Sequence, residues 1–330
     1  MNSHPAGRRF HRAWRVFALA AAALWAAQIH AQAWPVRTVR IIAPFSPGGS
    51  ADTLGRMVAQ KLSESLKQSF VVENRAGAGG LLGADLAAKA APDGYTLVIS
   101  GVASHVIGPA LSKAAPFDAV RDFTHIALIG GPPIALVVHP SQPARSLREF
   151  IEFTRGNVAL AYASPGTGTQ GHLVGELLKQ SAGLNLTHIA YKGAGAAIGD
   201  LVANHVPAAS MTLNTAGPQL RAGRIRALAF TSAARVADYP DVPTFRELGY
   251  PQLVSTAWFS LSGPARMPDD ITRRLNAEVR RALQQPDLRE RFRAEGIETA
   301  DHDVAAFNRF VADEIRRWTP IVQASGAQSD

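Results

Sequence analysis

The segment Val36–Asp52, VRTVRIIAPFSPGGSAD, decides how the chain is read. From Val36 to Phe45 the β-branched and apolar residues run almost unbroken, the pattern of a strand buried on both faces, and Pro47-Gly48-Gly49 then stops it. A helix follows at once. Leu54, Val58, Leu62 and Leu66 recur every four residues with Met57 beside them, while Lys61, Glu64 and Lys67 take the opposite face. The turn between them, Ser46-Pro47-Gly48-Gly49-Ser50-Ala51-Asp52, is rich in glycine and hydroxyls. In an open α/β sheet such a turn lies beyond the carboxyl end of a strand, where a helix N-terminus offers unpaired N–H groups and the positive end of its dipole.

The unit recurs. Phe70-Val71-Val72 predicts a strand, Gly77, Gly79 and Gly80 a turn, Leu81 to Ala91 a small-residue helix, and Thr96 to Ser100 a strand after the turn Pro92-Asp93-Gly94. A second set begins after the crossing segment Ile134 to His139, where Pro140 and Pro143 interrupt regular structure. It comprises strand Val158 to Ala163, helix Gly171 to Ser181, strand Thr187 to Tyr191, helix Ala196 to Ala203 and strand Arg226 to Phe230. This alternation implies parallel sheets covered by helices. The chain returns through Trp258-Phe259-Ser260-Leu261. Two helical stripes follow, one from Ile271 to Leu283 and one from Val304 to Val322, and both are placed on the first lobe. The expected fold is α/β with two lobes, each a mainly parallel sheet. Lobe 1 takes residues 34–135 and 257–330, lobe 2 takes residues 136–256, and two crossing strands serve as a hinge.

The ends and the composition set the compartment. Arg8, Arg9, Arg12 and Arg15 precede an apolar run from Val16 to Ala27, followed by Ala31-Gln32-Ala33. A charged segment, a short apolar core and a small-x-small site predict a signal peptide over residues 1–33, cleaved after Ala33, and a periplasmic protein. The run falls short of the roughly 20 apolar residues a membrane span needs. There is no cysteine, hence no disulfide, no thiolate metal ligand and no thiol to carry a lipid. Removing four arginines and no acids with the leader takes the formal charge from +8 to +4. The remaining cations sit among acids, as in Arg289-Glu290-Arg291, which reads as a solvated helix face and argues against nucleic acid. Ala324 to Asp330 reads as a polar tail.

A second glycine- and hydroxyl-rich junction is Ser164-Pro165-Gly166-Thr167-Gly168-Thr169. Neither junction contains Lys or Arg, so a carboxylate there is held by backbone N–H groups and the hydroxyls of Ser50, Thr167 and Thr169. The plainer alternative is that Ser50 or Asp52 only caps a helix and Gly48-Gly49 only turns the chain. Gly166 to Gly171 fits G-x-G-x-x-G, yet a dinucleotide site also needs an acid about 20 residues on, and Leu184 to Lys192 holds none. No cofactor is expected. Ser164 is not in a G-x-S-x-G elbow, and no H-E-x-x-H or Walker loop occurs, so no catalytic residue is assigned. The rival class is an exported hydrolase using Ser164 or Ser50 with His172. His172 and Glu176 offer only two metal ligands, so no metal is assigned and His172 is read as bracing its loop or facing the ligand. Lys192-Gly193 follows a strand and can turn an ammonium toward the cleft, while Asn74-Arg75 reads mainly as a turn.

Pro44-Phe45-Ser46-Pro47-Gly48-Gly49-Ser50-Ala51-Asp52, Glu73-Asn74-Arg75-Ala76-Gly77-Ala78-Gly79-Gly80 and Pro92-Asp93-Gly94-Tyr95-Thr96-Leu97 occur in that order. Tyr162-Ala163-Ser164, Gly168-Thr169, His172-Leu173, Tyr191-Lys192-Gly193 and Gly223-Arg224-Ile225-Arg226-Ala227-Leu228-Ala229 continue the pattern. Across nearly all of the mature chain this resembles the Bug family, the TctC-like periplasmic substrate-binding proteins of tripartite tricarboxylate transporters. The resemblance implies a type II periplasmic-binding-protein fold closing on a carboxylate, whose proximal carboxyl group is gripped by the Ser46–Asp52 and Ser164–Thr169 loops. Ligands of the family are di- and tricarboxylates, acidic amino acids or aromatic acids. The implied partner is a membrane permease or a sensor, and the receptor is a monomer. The candidate ligand-binding set is therefore Phe45, Ser46, Pro47, Gly48, Gly49, Ser50 and Asp52 with Ser164, Thr167, Gly168, Thr169, His172, Lys192 and Gly193. Where the family often has Gly-Gln-Val-Asp and Phe-Asp, this chain has Asn204-His205-Val206-Pro207 and Ser210-Met211. The loss of two acids implies a distal cleft less suited to an ammonium.

Overall fold

The computed structural model describes residues 34–112, 115–156, 160–325 and 327, so the expected signal peptide lies outside the described residues. β1 (Val39–Ala43), α1 (Ser50–Leu66), β2 (Phe70–Asn74), α2 (Leu81–Ala88) and β3 (Thr96–Gly101) come first. A π turn (Ala103–Ile107) then runs into α3 (Gly108–Leu111), before β4 (Phe123–Gly130). The middle of the chain holds β5 (Ile134–Val138), α4 (Leu147–Gly156), β6 (Leu160–Ser164), α5 (Gln170–Ala182), β7 (Leu186–Ala190), α6 (Ala194–Val202), β8 (Ala208–Thr212), α7 (Leu213–Arg221) and β9 (Arg226–Phe230). β10 (Phe259–Pro264), α8 (Asp269–Leu283), α9 (Pro286–Ala294) and α10 (Val304–Ala324) complete it.

Two five-stranded sheets result, ordered β2-β1-β3-β10-β4 and β7-β6-β8-β5-β9. They repeat one plan. Each has three parallel strands followed by one reversed strand, β10 or β5, paired antiparallel on both sides. The reversed strand is in each case the one the chain enters on arriving from the other sheet. The crossings are short, and they pair with each other: Pro133 bridges Thr256, and Ala257 N donates to Pro132 O at 2.9 Å. Thr38–Asp330 forms one unit and holds both sheets.

The strands form where β-branched and apolar residues bury both faces, as in Ile41, Ile42, Leu97, Val98 and Ile99, all at most 1% exposed. The α1 stripe of Leu54, Met57, Val58, Leu62 and Leu66 is buried, and Lys61 on its polar side pairs with Asp287 at 2.8 Å. α8 and α10 pack against β4. β1 is shorter than the sequence pattern implies, and the first residues of the strand expected from Val158 fall outside the described residues.

Several elements escape the sequence reading, among them α3, α4, β4, β8 and α7. β4, Phe123–Gly130, runs up to the crossing and has no counterpart in the sequence reading. β8 is Ala-Ala-Ser-Met-Thr, with one β-branched residue, and so lacks the usual strand signal. α7 contains Gly217 and Pro218, residues that ordinarily interrupt a helix.

Candidate functional site

The helices begin where the strands end, and four of those beginnings meet. Gly49 caps α1, Thr169 caps α5 and Thr212 caps α7, all with extended backbone, while Gly193 with φ 143° turns the chain into α6. Gly49, Ser50, Thr169, Gln170, Ala194 and Thr212 all line one cavity of about 50 Å³ between the sheets. One buried water needs roughly 10–15 Å³ of such space, so the cavity suits a few waters or a compact ligand. Phe45, Pro165 and Trp258 supply apolar wall, and none of the lining residues is Lys, Arg, Asp or Glu. The attraction for an anion therefore comes from the first-turn N–H groups and the positive helix ends, in a site shielded from solvent.

The two sides of the cleft touch directly. Ser50 Oγ donates to Asn214 Oδ1 at 2.6 Å, and because that oxygen only accepts, the 2.6 Å contact with Thr212 Oγ1 is a bond that Thr212 donates. Ser46 N donates to Lys192 O at 3.0 Å. Elsewhere main chain meets main chain through glycine. A Cβ on Gly195 would overlap the Pro47 carbonyl oxygen, one on Gly79 the Thr167 carbonyl oxygen, and one on Gly193 the Ser46 amide nitrogen as well as its hydroxyl. A Cβ on Gly168 would lie 3.2 Å from the Gly108 Cα. The lobes are closed on each other.

Each loop is braced from behind. In the first, Gly48 N donates to Asp52 Oδ2 at 3.1 Å and Arg56 pairs with Asp52 at 2.9 Å. Asn74 Nδ2 holds the Phe45 carbonyl at 3.0 Å. Burial pushes the Asp52 carboxyl up, but its bonds from Arg56, the Gly48 N–H and Asn74 outweigh this and leave its pKa below the ordinary value. In the second loop, Ser164 is fully buried, with its hydroxyl 3.1 Å from both the amide and the carbonyl of Gly166 and 2.7 Å from His188 Nε2. Thr169 Oγ1 donates to Gly166 O and accepts from His172 N; His172 Nδ1 accepts from Gly168 N at 3.2 Å, and its ring stacks on His188 with centroids 4.0 Å apart. Tyr162 and Lys179 both engage Glu176.

The candidate residues thus separate by position. Phe45, Gly49, Ser50 and Thr169 line the cavity. Thr167, Gly168 and Lys192 line a second cavity of about 360 Å³, which shares Phe45 and Pro165 with the first as a partition. Ser46, Pro47, Gly48 and Gly193 form the seam between lobes, with Pro47 and Gly48 exposed at its rim. Asp52, Ser164 and His172 brace the loops. Met211, where the family often has an acid, is buried in the second lobe's core with Leu213 and Phe230, and Thr212 lines the cavity.

Sequence reasoning missed Thr212, Asn214 and Gln170. Thr212-Leu213-Asn214-Thr215 is a third strand-to-helix junction rich in polar groups, concealed because β8 was not recognised. Behind the cavity wall, Ser100 Oγ meets Ser262 Oγ at 2.6 Å; Ser262 meets His125 Nδ1 at 3.1 Å, and His125 Nε2 donates to Ala119 O at 2.9 Å. Burial pushes His125 down to about 4 despite that last bond, and burial and then the neighbouring His125 push His105 well below the usual histidine range.

Two similar α/β sheets, two short crossings and a closed cleft floored by helix N-termini define a solute receptor of the periplasmic-binding class. The chain belongs to a particular family of them: residues 54–327 match the tripartite tricarboxylate transporter family receptor. Protein BugT of Bordetella pertussis is 36% identical over 92% of this chain and 94% of its own length. Among solved structures, an R. palustris protein with adipate superimposes with a TM-score of 0.86 at 33% identity, covering 89% of this chain and 99% of that one. MatC of Rhodopseudomonas palustris with bound malate gives 0.83 at 33% identity, covering 88% and 100%. This is the family to which the sequence motifs pointed. Its members are substrate-binding receptors, so the chain is a receptor and not an enzyme, and the hydrolase alternative falls.

Proposed function

We propose that this protein is an extracytoplasmic receptor that captures a small carboxylate between its lobes and delivers it to a membrane permease of the tripartite tricarboxylate type. The observation that carries this is the convergence of the α1, α5, α6 and α7 N-termini on one closed cavity with no charged side chain in its wall. Backbone N–H groups and dipoles bind an anion there without a cation, and the absence of any wall carboxylate leaves an amino group without a counter-charge. The adipate and malate found in two relatives support the ligand class.

The lobes correspond to the two sheets: the chain changes sheet at Gly131–Pro133, just ahead of the boundary after residue 135 read from the sequence, and again at Ser255–Ala257, at the boundary before residue 257. They open about those paired crossings, and ligand favours the closed form because it touches both loops. The mature chain starts after Ala33 and works as a monomer in the periplasm. A thermal-shift panel of carboxylates tests the receptor. Ligand at 100 times its Kd adds ~2.7 kcal/mol of stability, and failure of every mono-, di- and tricarboxylate to raise the Tm refutes the proposal. Intact mass of the exported protein checks the cleavage site.

A further inference from the structure

The polar side chains of the cavity wall are accounted for one by one. Ser50 bonds to Thr212 and Asn214, Ser100 to Ser260 and Ser262, Ser104 to His105, Thr169 to Gly166 and His172, and Trp258 to Glu314. Gln170 is different. It is the first residue of α5, is 2% exposed, and has neither Oε1 nor Nε2 hydrogen-bonded among the described residues. Burying an amide with both ends unpaired is unfavourable, and such an exception in a ligand cavity marks a bond that the ligand completes.

We propose that Gln170 reads a second functional group on the ligand, and that this group is neutral and both donates and accepts a hydrogen bond, namely a hydroxyl or a carboxamide. The chemistry follows from what each candidate offers. A second carboxylate accepts from Nε2 but sets an anion against Oε1, and an ammonium donates to Oε1 but finds no carboxylate in the wall. A hydroxyl accepts from Nε2 and donates to Oε1, satisfying both. The substrate class is then a compact hydroxycarboxylate or its amide counterpart, with the carboxylate at the helix N-termini and the neutral group at Gln170. This rests on the receptor proposal above and names its specificity-determining residue.

The test is calorimetric titration of the mature protein and its Gln170→Leu variant with three matched pairs: lactate against propionate, malate against succinate, and succinamate against succinate. A site built to pair with a polar group rejects the analogue lacking it. In the wild type the hydroxylated or amidated member of at least one pair should bind at least tenfold tighter. In Gln170→Leu that preference should shrink below threefold while the plainer acid keeps its affinity. Carboxylate binding without any such preference, a preference that survives in Gln170→Leu, or equal weakening of both members overturns the inference and leaves the receptor proposal standing. If no acid binds the wild type, both fall. Should Gln170→Leu fail to fold, Gln170→Glu keeps the shape and places an anion in the wall. It should weaken the preferred ligand more than tenfold, and unchanged affinity counts against the role.

Discussion

The β1–α1 and β6–α5 turns look alike in sequence and behave differently in the fold. The second ties itself together: Ser164, Thr169 and His172 all bond to the amides or carbonyls of Gly166, Gly168 and one another. In the first, Asp52 holds Gly48, but the hydroxyl at the cavity, Ser50, spends its bonds across the cleft on Thr212 and Asn214. One loop is therefore complete whether the lobes are open or closed, while the other gains part of its bonding only on closure. Closure is where the two lobes divide the labour between shaping a site and latching it.

The largest effect is expected from Gly195→Ala. Its Cβ overlaps the Pro47 carbonyl only when the lobes are shut, and alanine is otherwise favourable in a helix. Ligand affinity should fall by roughly 100-fold, or about 2.7 kcal/mol, with the unliganded Tm kept and ligand-induced compaction lost in small-angle scattering. Affinity near wild type would show that the glycine seam is not needed for binding.

Next come the two serines. Ser50→Ala leaves Asn214 Oδ1 without its donor and should cost about 1–3 kcal/mol in ligand affinity with little change in unliganded Tm. Ser164→Ala, inside the self-tied loop, should cost a comparable ~1–2 kcal/mol in unliganded stability by denaturant titration and less in affinity. Equal behaviour of the two variants would erase the distinction between latch and brace.

The effect that is smallest near neutral pH is electrostatic and belongs to the first lobe. His125, held at about 4 by burial, resists protonation in the folded protein, whereas the unfolded chain takes up the proton near 6.5. Its folded pKa is depressed, so folding loses stability as pH falls from about 6.5 toward 4; the loss is under ~1 kcal/mol between pH 7 and pH 6 and grows to about 1.4 kcal/mol per pH unit below. His125→Gln should lessen the slope of Tm against pH over that window and leave the share that belongs to buried His105, and an unchanged slope would assign the acid sensitivity to other groups.

The β1–α1 and β6–α5 junctions were legible because a buried β-branched strand, a glycine stop and a period-four stripe are local signals. The motifs then named the family. β8 and α7 were not legible, since Ala208-Ala209-Ser210 carries no strand signal and Pro218 argues against a helix that contacts with α6, β5 and β9 sustain. Without β8, Thr212 and Asn214 had no place beside Ser50, which lies more than 160 residues away. Gln170 stood in plain view within Gly166–Gly171, but its meaning depends on having no partner, and only the folded arrangement shows that.

The glycine seam also limits how such a receptor changes its ligand. Where backbone presses on backbone there is no side chain to vary, and any substitution props the clamshell ajar. New preferences must then be written at the few wall positions that lie off the seam, leaving a universal grip for the anion and an editable corner for the rest of the molecule.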